Sequence, residues 1–169
     1  DLGRILASVS CGDTSLITSL VENEKANEYV RSAGLEGLLT LVACGEKNRD
    51  EVVVYFKDLF REKLEKKHSQ VWNSLISCST RLYPEEVYVN INQAYKEDLV
   101  DPFFIDLEYV DKTLASEKEE VLNTLQESRY KLIEDAIGEM EWWACFRSEK
   151  RRQVVSKKKT ISQNVPYVT

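Results

Sequence analysis

The sequence predicts an all-α protein, an α-solenoid (α–α superhelix) of about four helix pairs followed by a C-terminal closing helix. The 169 residues are 43% hydrophobic and 31% charged, which suits a single packed domain. They include only six glycines and three prolines, fewer than the tight turns of an all-β protein normally use. Signals for the start of a helix also recur about every 34 residues, which is typical of stacked helix pairs.

The first predicted helices end at glycines. GRILASVSC ends at Gly12, a favourable position because glycine adopts positive φ without strain. Asp13 or Thr14 is expected to cap the next helix, SLITSLVEN. Residues 28–44, EYVRSAGLEGLLTLVAC, have apolar side chains on more than one side and are followed by Gly45. This pattern predicts a helix that packs against several neighbours.

The middle helices begin at capping residues or prolines. RDEVVVYFKDLFREKLEKK has one apolar stripe and a basic last turn, which suits the negative end of a helix. After QVWNSLISCSTRLY, Pro84 suits a first helical turn, and Glu85 and Glu86 follow it. Pro102 interrupts the chain, and Asp106 is expected to cap the helix that follows.

Residues 117–146, EKEEVLNTLQESRYKLIEDAIGEMEWWACF, predict the last helical segment, either continuous or broken near Ser128, and its C-terminal part predicts the closing helix. Its apolar residues recur at helical spacing, so we expect them to pack inward and close the last unit. They are Leu132, Ile133, Ala136, Ile137, Met140, Trp143 and Ala144. Trp142 lies about 100° around the helix from Trp143, so it is either covered by another helix or displayed beside Glu139 and Glu141.

A short motif repeats at the predicted helix starts. Glu51-Val52, Glu86-Val87 and Glu120-Val121 are separated by 35 and 34 residues. One helix pair cannot bury its apolar faces alone, so a repeat of this length predicts stacked units that share a continuous core.

The cysteines follow a similar spacing. Cys11, Cys44 and Cys78 are 33 and 34 residues apart, and Cys145 follows 67 residues later. Equivalent positions in neighbouring helix pairs lie on the order of 10 Å apart, too far to share a zinc ion or a disulfide. We therefore expect packing residues at the ends of inner helices. The absence of a CxxC pair also favours a reducing cytoplasm.

Several longer motifs resemble a known bacterial family. NEYVRSAGLEGLLTLVACGEKNRDEVV, LYPEEVY, LVDPFFIDLEYV and LIEDAIGEMEWWACF occur in this order and resemble the family known as domain of unknown function 1186. Residues 28–45 are similar to a HEAT-type repeat helix. The resemblance implies a HEAT-like helical fold, no established reaction and no catalytic residues. Longer members often end in a cysteine-rich SEC-C metal-binding motif, which is absent here, so we expect no zinc, no other metal and no cofactor.

The charge distribution separates two regions. Residues 147–169 carry seven Lys or Arg and one acid, a net charge of +6, whereas the preceding 146 residues carry −12. We expect residues 1–146 to form the HEAT-like helical repeat domain and residues 147–169 to form a basic tail or linker toward a missing C-terminal region. An acidic body repels nucleic acid, so any nucleic-acid contact would fall to the tail. No apolar run is long enough to span a membrane.

Other candidate sites have simple structural interpretations. His68, the only histidine, is expected in a solvated loop. Asp135 and Glu139 are four residues apart and could act together if buried, but they fit a solvated acidic face better. Phe103 and Phe104 are flanked by acids and could form either a partner-binding surface or a buried anchor. The acids are Asp98, Asp101, Asp106, Glu108 and Asp111.

These observations favour a non-enzymatic protein-interaction or scaffold module that binds a protein or peptide on the solenoid surface. An acidic solenoid would favour a partner with a basic segment. The candidate partner-binding residues are Tyr55, Trp72, Tyr95, Phe103, Phe104, Trp142 and Trp143. One alternative is a carboxylate-based enzyme of unrecognised type, which requires a pocket holding two or more acids with perturbed pKa values. Another alternative is an RNA- or ribosome-associated adaptor that acts through the basic tail.

Overall fold

The computed structural model describes residues 2–141 and residue 143. These residues contain nine α-helices and no β-strand, so the prediction of an all-α fold is confirmed for the described part of the chain. The helices are α1 (Leu2–Ser10), α2 (Ser15–Glu22), α3 (Glu28–Ala43), α4 (Arg49–Asp58), α5 (Gln70–Arg81), α6 (Tyr88–Lys96), α7 (Leu107–Ala115), α8 (Lys118–Glu127) and α9 (Ala136–Met140). A π-helical turn, Leu59–Lys63, extends α4, and a 3₁₀ turn, Glu85–Val87, precedes α6. None of these helices combines the length and the apolar character that crossing a membrane requires.

The chain divides into two compact units, residues 1–132 and residues 133–169. The first unit contains α1 to α8, and the second contains α9. The boundary predicted from charge, at residue 146, lies outside the described residues.

Side-chain caps set the start of several helices. The Asn27 side chain accepts a hydrogen bond from the Tyr29 amide at 2.9 Å, and the Asn48 side chain accepts one from the Asp50 amide at 2.7 Å. The predicted cap at Asp106 is confirmed, because its carboxylate accepts from the Tyr109 amide at 2.6 Å. These bonds satisfy backbone N–H groups that have no partner within the helix.

Glycines end the first and third helices as predicted. Gly12, after α1, has φ of 81°, and Gly45, after α3, has φ of 75°. Between them, the Asp13 carboxylate accepts from the Ser15 amide at 2.9 Å, whereas the Thr14 side chain makes no capping bond. Thr14 therefore occupies the N-cap position of α2, and the Asp13 side chain supplies the capping hydrogen bond.

Helix α3 is the centre of the first unit. It packs against α1, α2 and α5, and ten of its sixteen residues are buried. Two of its glycines allow this close packing. A Cβ atom on Gly37 would lie 3.2 Å from the Gly3 carbonyl oxygen in α1, and one on Gly34 would lie 2.7 Å from the Val21 side chain in α2.

Ion pairs connect residues that are 32 to 37 positions apart in sequence. The Arg31 guanidinium in α3 makes a two-point pair with Glu65, just after the π-helical turn. The Arg49 guanidinium in α4 makes a similar pair with Glu86, in the 3₁₀ turn. Lys118, at the start of α8, lies 3.4 Å from the same Glu86 carboxylate. These ion pairs therefore link the first turns of α3, α4 and α8 to the segments that follow α4 and precede α6.

The prediction of a closing helix is wrong for the described residues. Helix α8 ends at Glu127, residues 128–135 are not helical, and α9 spans only Ala136–Met140. No residue of α9 is buried, and Ile137, Met140 and Trp143 are exposed. The apolar pattern failed because Ser128 is extended and Asp135 caps a new helix, so the two segments do not share one helical phase. Trp142, Ala144 and Cys145 lie outside the described residues.

Candidate functional site

Trp72 does not belong to any accessible surface. It is 1% exposed, and its indole N–H donates to the Glu65 carbonyl at 3.0 Å. Its ring lies 5.9 Å from the Phe60 ring, and the Lys66 ammonium lies 4.9 Å from its centroid. The prediction of Trp72 as a partner-binding residue is therefore wrong, because this aromatic side chain forms part of the core between α5 and the π-helical turn.

Tyr55 and Tyr95 are half-buried, and each makes a hydrogen bond to another part of the first unit. The Tyr55 hydroxyl donates to the Thr18 carbonyl at 3.4 Å, and the Tyr95 hydroxyl donates to the Ile105 carbonyl at 2.7 Å. Burial raises the pKa of Tyr55, and it raises the pKa of Tyr95 to about 12. Both phenols therefore stay neutral, and their hydroxyl groups are already used in hydrogen bonds within the protein.

Phe103 and Phe104 are displayed on a short loop between α6 and α7, residues 101–106, which we call the aromatic loop. Phe103 is fully exposed and Phe104 is about half exposed. Ile105 is buried, and the Asp101 amide donates to the side chain of buried Asn73 at 2.8 Å. The loop is thus anchored at Asp101 and Ile105. The alternative that the two phenylalanines form the buried anchor is wrong.

Hydrogen bonds to its own acids restrain the aromatic loop. The Asp101 carboxylate accepts from the Phe103 amide at 2.9 Å, and the Phe104 amide donates to the Asp101 carbonyl at 3.0 Å. At the other end, Asp106 caps α7. A backbone restrained at both ends loses less conformational entropy when the loop binds a partner.

Acids and one further aromatic residue surround this loop in the sequence. Asp98, Asp106, Glu108 and Asp111 are all exposed, and so is Tyr109. The Asp111 carboxylate accepts from the Tyr88 hydroxyl at 2.7 Å, and Lys112 pairs with Glu108 at 2.7 Å. Sequence reasoning missed Tyr109. The signal was present, since an α7 that starts after Asp106 and buries Val110 turns position 109 outward.

A second feature that the sequence did not predict is the segment Ser128–Leu132, which we call the strap. It follows α8 and crosses three helices of the first unit. The Lys131 carbonyl accepts from Arg4 Nε of α1 at 2.9 Å, and the Tyr130 carbonyl accepts from the Cys44 thiol at the end of α3 at 3.6 Å. The Tyr130 ring, 7% exposed, has the guanidinium of Arg81 at the end of α5 at 5.6 Å from its centroid. The strap therefore contacts α1, α3 and α5.

Two clefts lie beside the strap. One, of about 350 Å³, is formed by α5, α7 and α8 and includes Arg81, Leu125 and Ser128 in its walls. The other, of about 260 Å³, is lined by Arg4, Glu36, Thr40, Arg129 and Tyr130. Residues of the strap thus form part of the wall of both clefts.

A third cleft, of about 300 Å³, lies between α1 and α2. Its walls are mainly apolar and include Leu6, Val9, Leu16 and Leu20.

The cysteines are not equivalent in the structure. Cys78 is buried in α5, as predicted, and burial raises the pKa of its thiol. Cys11 and Cys44 are exposed, so the prediction of packing is wrong for both. Each lies at or just after the last turn of its helix, beyond the core contacts. Cys145 lies outside the described residues.

The other titratable candidates are placed as follows. His68 is exposed in the loop before α5, as predicted. Asp135 does not form a pair on one helix face with Glu139, because its carboxylate caps α9 by accepting from the Ile137 and Gly138 amides. Residues 2–141 and residue 143 contain no group of three or more His, Cys, Asp or Glu side chains placed to hold a metal ion.

Two carboxylates with a lowered pKa lie in ion pairs with arginine, whereas hydrogen bonds from Ser15 lower the pKa of Asp13. Hydrogen bonds from Arg31 and Arg49 lower the pKa of Glu65 and Glu86, respectively. Each of the three clefts described above has one carboxylate in its wall: Glu120, Glu36 and Asp13. The enzyme alternative requires two acids in one pocket, and none of these clefts provides such a pair.

Comparison with known proteins identifies relatives. The profile of the family described as "Protein of unknown function (DUF1186)" matches residues 1–147. An uncharacterized protein of Chlamydia muridarum (strain MoPn / Nigg) is 39% identical over 145 residues, which cover 85% of this chain and 57% of that protein. An uncharacterized protein of Chlamydia trachomatis serovar D is 39% identical over 148 residues, with the same coverage of both chains.

The chain spans little more than half the length of these two relatives. No solved structure matches it. Because the family profile covers most of the sequence, the chain belongs to the DUF1186 family of proteins of unknown function.

Proposed function

We propose that this chain is a non-enzymatic protein-interaction module, with a HEAT-like solenoid architecture, that binds a partner protein through the aromatic loop. The order of contacts supports the solenoid part of the proposal. Helix α3 packs against α1, α2 and α5. A helix that contacts both its neighbour along the chain and the next helix but one on either side is typical of stacked helix pairs.

The observation that carries the proposal is the exposure of Phe103 and Phe104 on an anchored loop. Full burial of one such side chain contributes roughly 1.5–3 kcal/mol. Single exposed apolar residues are common on protein surfaces, but adjacent aromatic residues on a fixed loop are more typical of an interaction site. Aromatic side chains also carry much of the binding energy at protein interfaces.

The charges near the loop indicate the chemistry of the partner. Asp98, Asp106 and Glu108 are exposed acids near the two phenylalanines in sequence. Complementary charge steers association and disfavours wrong partners. The partner is therefore a protein segment with Lys or Arg side chains around one or two apolar residues that cover Phe103 and Phe104.

The experiment is affinity capture from a lysate of the source organism with the full chain as bait. A double variant, Phe103→Ser with Phe104→Ser, should lose a captured protein that the wild type retains. The matched control is Val89→Ser, which changes an exposed apolar residue of α6. Salt should weaken the capture, because part of the attraction is between charges. Equal capture by the wild type and the double variant refutes the role of the aromatic loop.

A cytoplasmic location is also part of the proposal. Cys11 and Cys44 are free and exposed thiols, which suits a reducing compartment.

The basic tail offers a second candidate function. Residues 147–169 carry a net charge of +6, and a segment of that kind can bind RNA or the ribosome. This candidate predicts salt-sensitive RNA binding that disappears when residues 147–169 are deleted. RNA binding that survives the deletion, or no RNA binding by the full chain, eliminates it.

A further inference from the structure

The strap contacts the helices in the way that a bound peptide contacts a receptor. Its residues are not helical, and two of its carbonyl oxygens accept hydrogen bonds from side chains of other elements. Its own internal hydrogen bonds are few and local, such as the one from the Lys131 amide to the Arg129 carbonyl at 2.9 Å. Recognition of extended peptides commonly combines main-chain hydrogen bonds with a pocket for one side chain.

Tyr130 is the side chain that anchors the strap. Its ring is buried and lies 5.6 Å from the guanidinium carbon of Arg81 in α5. Arg129, its neighbour in the strap, lies at the same distance from the ring. A cation above an aromatic face is attracted to it, so Arg81 selects an aromatic side chain at this position.

Three further contacts of the strap are weak or only partly buried. The Arg4 hydrogen bond is exposed to solvent, and a thiol such as that of Cys44 is a poor hydrogen-bond donor. Leu132 packs against the core but is only partly buried. These contacts are weaker than the burial of the Tyr130 ring, which is the main anchor of the strap.

The clefts beside the strap add unoccupied space to the same surface. The cleft of about 260 Å³ includes Glu36 and Thr40 of α3, and the cleft of about 350 Å³ includes Thr80 and Arg81 of α5. A longer extended segment could fill these spaces as well as the position of the strap.

We propose that the strap is an intramolecular ligand. It occupies the middle of a groove across α1, α3 and α5, and this groove binds an extended segment of a partner protein that carries an aromatic side chain in the place of Tyr130. Partner binding displaces the strap. The groove involves none of the residues of the aromatic loop, so this inference does not depend on the function proposed above.

A peptide with the sequence of the strap tests the proposal directly. The probe is a fluorescent synthetic peptide of residues 126–133, QESRYKLI. Its binding to the full chain is measured by anisotropy with the wild type and with Tyr130→Ser, which weakens the internal competitor. We expect the variant to bind the probe at least tenfold more tightly than the wild type does. Equal affinity, or no binding to either protein, overturns the proposal.

Two controls define the specificity of this test. A probe in which serine replaces the tyrosine, QESRSKLI, should not bind the Tyr130→Ser variant. Tyr29→Ser changes an exposed tyrosine of α3, and its affinity for the original probe should equal that of the wild type. The double variant of Phe103 and Phe104 should also bind the probe as the wild type does. This last result separates the groove from the aromatic loop.

Hydrogen exchange on the wild-type chain provides a test that needs no substitution. A displaceable strap predicts that the amides of Tyr130 and Lys131 exchange at least a hundredfold faster than those in the centre of α3, because the strap opens without global unfolding. Exchange of both segments at the same rate would show that the strap opens only when the protein unfolds, and it would refute the proposal.

Discussion

Arg31 and Glu65, 34 residues apart in sequence, are joined by two hydrogen bonds between the guanidinium and the carboxylate, of which the Nη2–Oε2 bond is 2.8 Å long. Arg31 is only 2% exposed, and its Nε also donates to the Val21 carbonyl at the end of α2 at 2.8 Å. The carbonyl of Glu65 accepts from the Trp72 indole. One arginine and one glutamate therefore connect α2, α3, the end of the π-helical turn and α5.

Glu65→Gln should destabilise the protein by about 3 kcal/mol. The substitution leaves the buried Arg31 charge without its counter-ion, which is among the more costly single changes in a protein. The free energy of unfolding in urea measures the effect. Glu62→Gln, an exposed acid in the π-helical turn, is the matched control and should change stability by less than about 0.5 kcal/mol. Similar losses for both variants would refute a special role for this pair.

The pair between Arg49 and Glu86 should make stability depend on pH. Hydrogen bonds from Arg49 lower the pKa of Glu86 from the ordinary 4.5 to about 2. A carboxylate whose pKa is depressed in the folded state contributes stability that is fully present above about pH 4.5 and is lost as the pH falls toward 2. The difference in unfolding free energy between the wild type and Glu86→Gln should therefore shrink between pH 6 and pH 3.

The neighbouring acid provides the control for this measurement. Glu85 is exposed and also lies in the 3₁₀ turn. The wild type and Glu85→Gln should show a small difference in unfolding free energy that changes little over the same pH range. A difference for Glu86→Gln that stays constant from pH 6 to pH 3 contradicts the prediction.

The three described cysteines should react differently with a thiol reagent. Cys78 is buried, and burial raises its pKa, so little thiolate forms and the reagent has no access. In a chain that carries Cys11→Ser, Cys44→Ser and Cys145→Ser, Cys78 should be labelled at least a hundredfold more slowly than Cys44 in a chain that retains only Cys44. Denaturant should abolish the difference. Rapid labelling of Cys78 in the folded chain is the contrary result.

Gly3→Ala should weaken the contact between α1 and α3. A Cβ atom on Gly3 would lie 2.7 Å from the Glu36 Cβ atom and 3.0 Å from the Ala33 carbonyl oxygen. Neither atom is the end of a flexible side chain, so the helices must move apart, at a cost of about 1–2 kcal/mol. Thermal unfolding detects this loss. Val9→Ala, an exposed residue of α1, should leave the midpoint nearly unchanged, and equal stability of Gly3→Ala and the wild type contradicts the prediction.

Local rules allowed much of the helix pattern to be predicted from the sequence. Gly12, Gly45 and Asp106 mark helix ends and starts because positive φ and side-chain capping depend on residues close in sequence. The crowding of α3 by its neighbours was also predicted from its apolar residues on several sides. These features require no knowledge of distant contacts.

The strap and the burial of Trp72 depend on distant contacts, and the sequence did not predict them. The sequence analysis allowed a break near Ser128, but residues 118–137 contain no glycine or proline, so it did not predict the non-helical segment that follows Glu127. The helix is interrupted where Tyr130 and Lys131 contact residues that lie about 50 to 130 positions earlier in the sequence. Trp72 is similar, because its burial depends on Phe60 and Glu65 across the π-helical turn. Periodicity alone could not distinguish this core residue from the exposed Phe103.

The packing of α3 also determines when the chain can fold during synthesis. Ala7 of α1 and Ile17 and Val21 of α2 lie against Gly34 and Gly37, so the apolar surface of the first two helices is covered only after α3 has been made. Helix α3 also packs against α5, so one side of α3 stays uncovered until α5 has been made. If synthesis pauses after Glu22, α1 and α2 therefore lack the helix against which their apolar side chains pack. Stable packing of α1 and α2 on α3 therefore requires that Ala43 has left the exit tunnel.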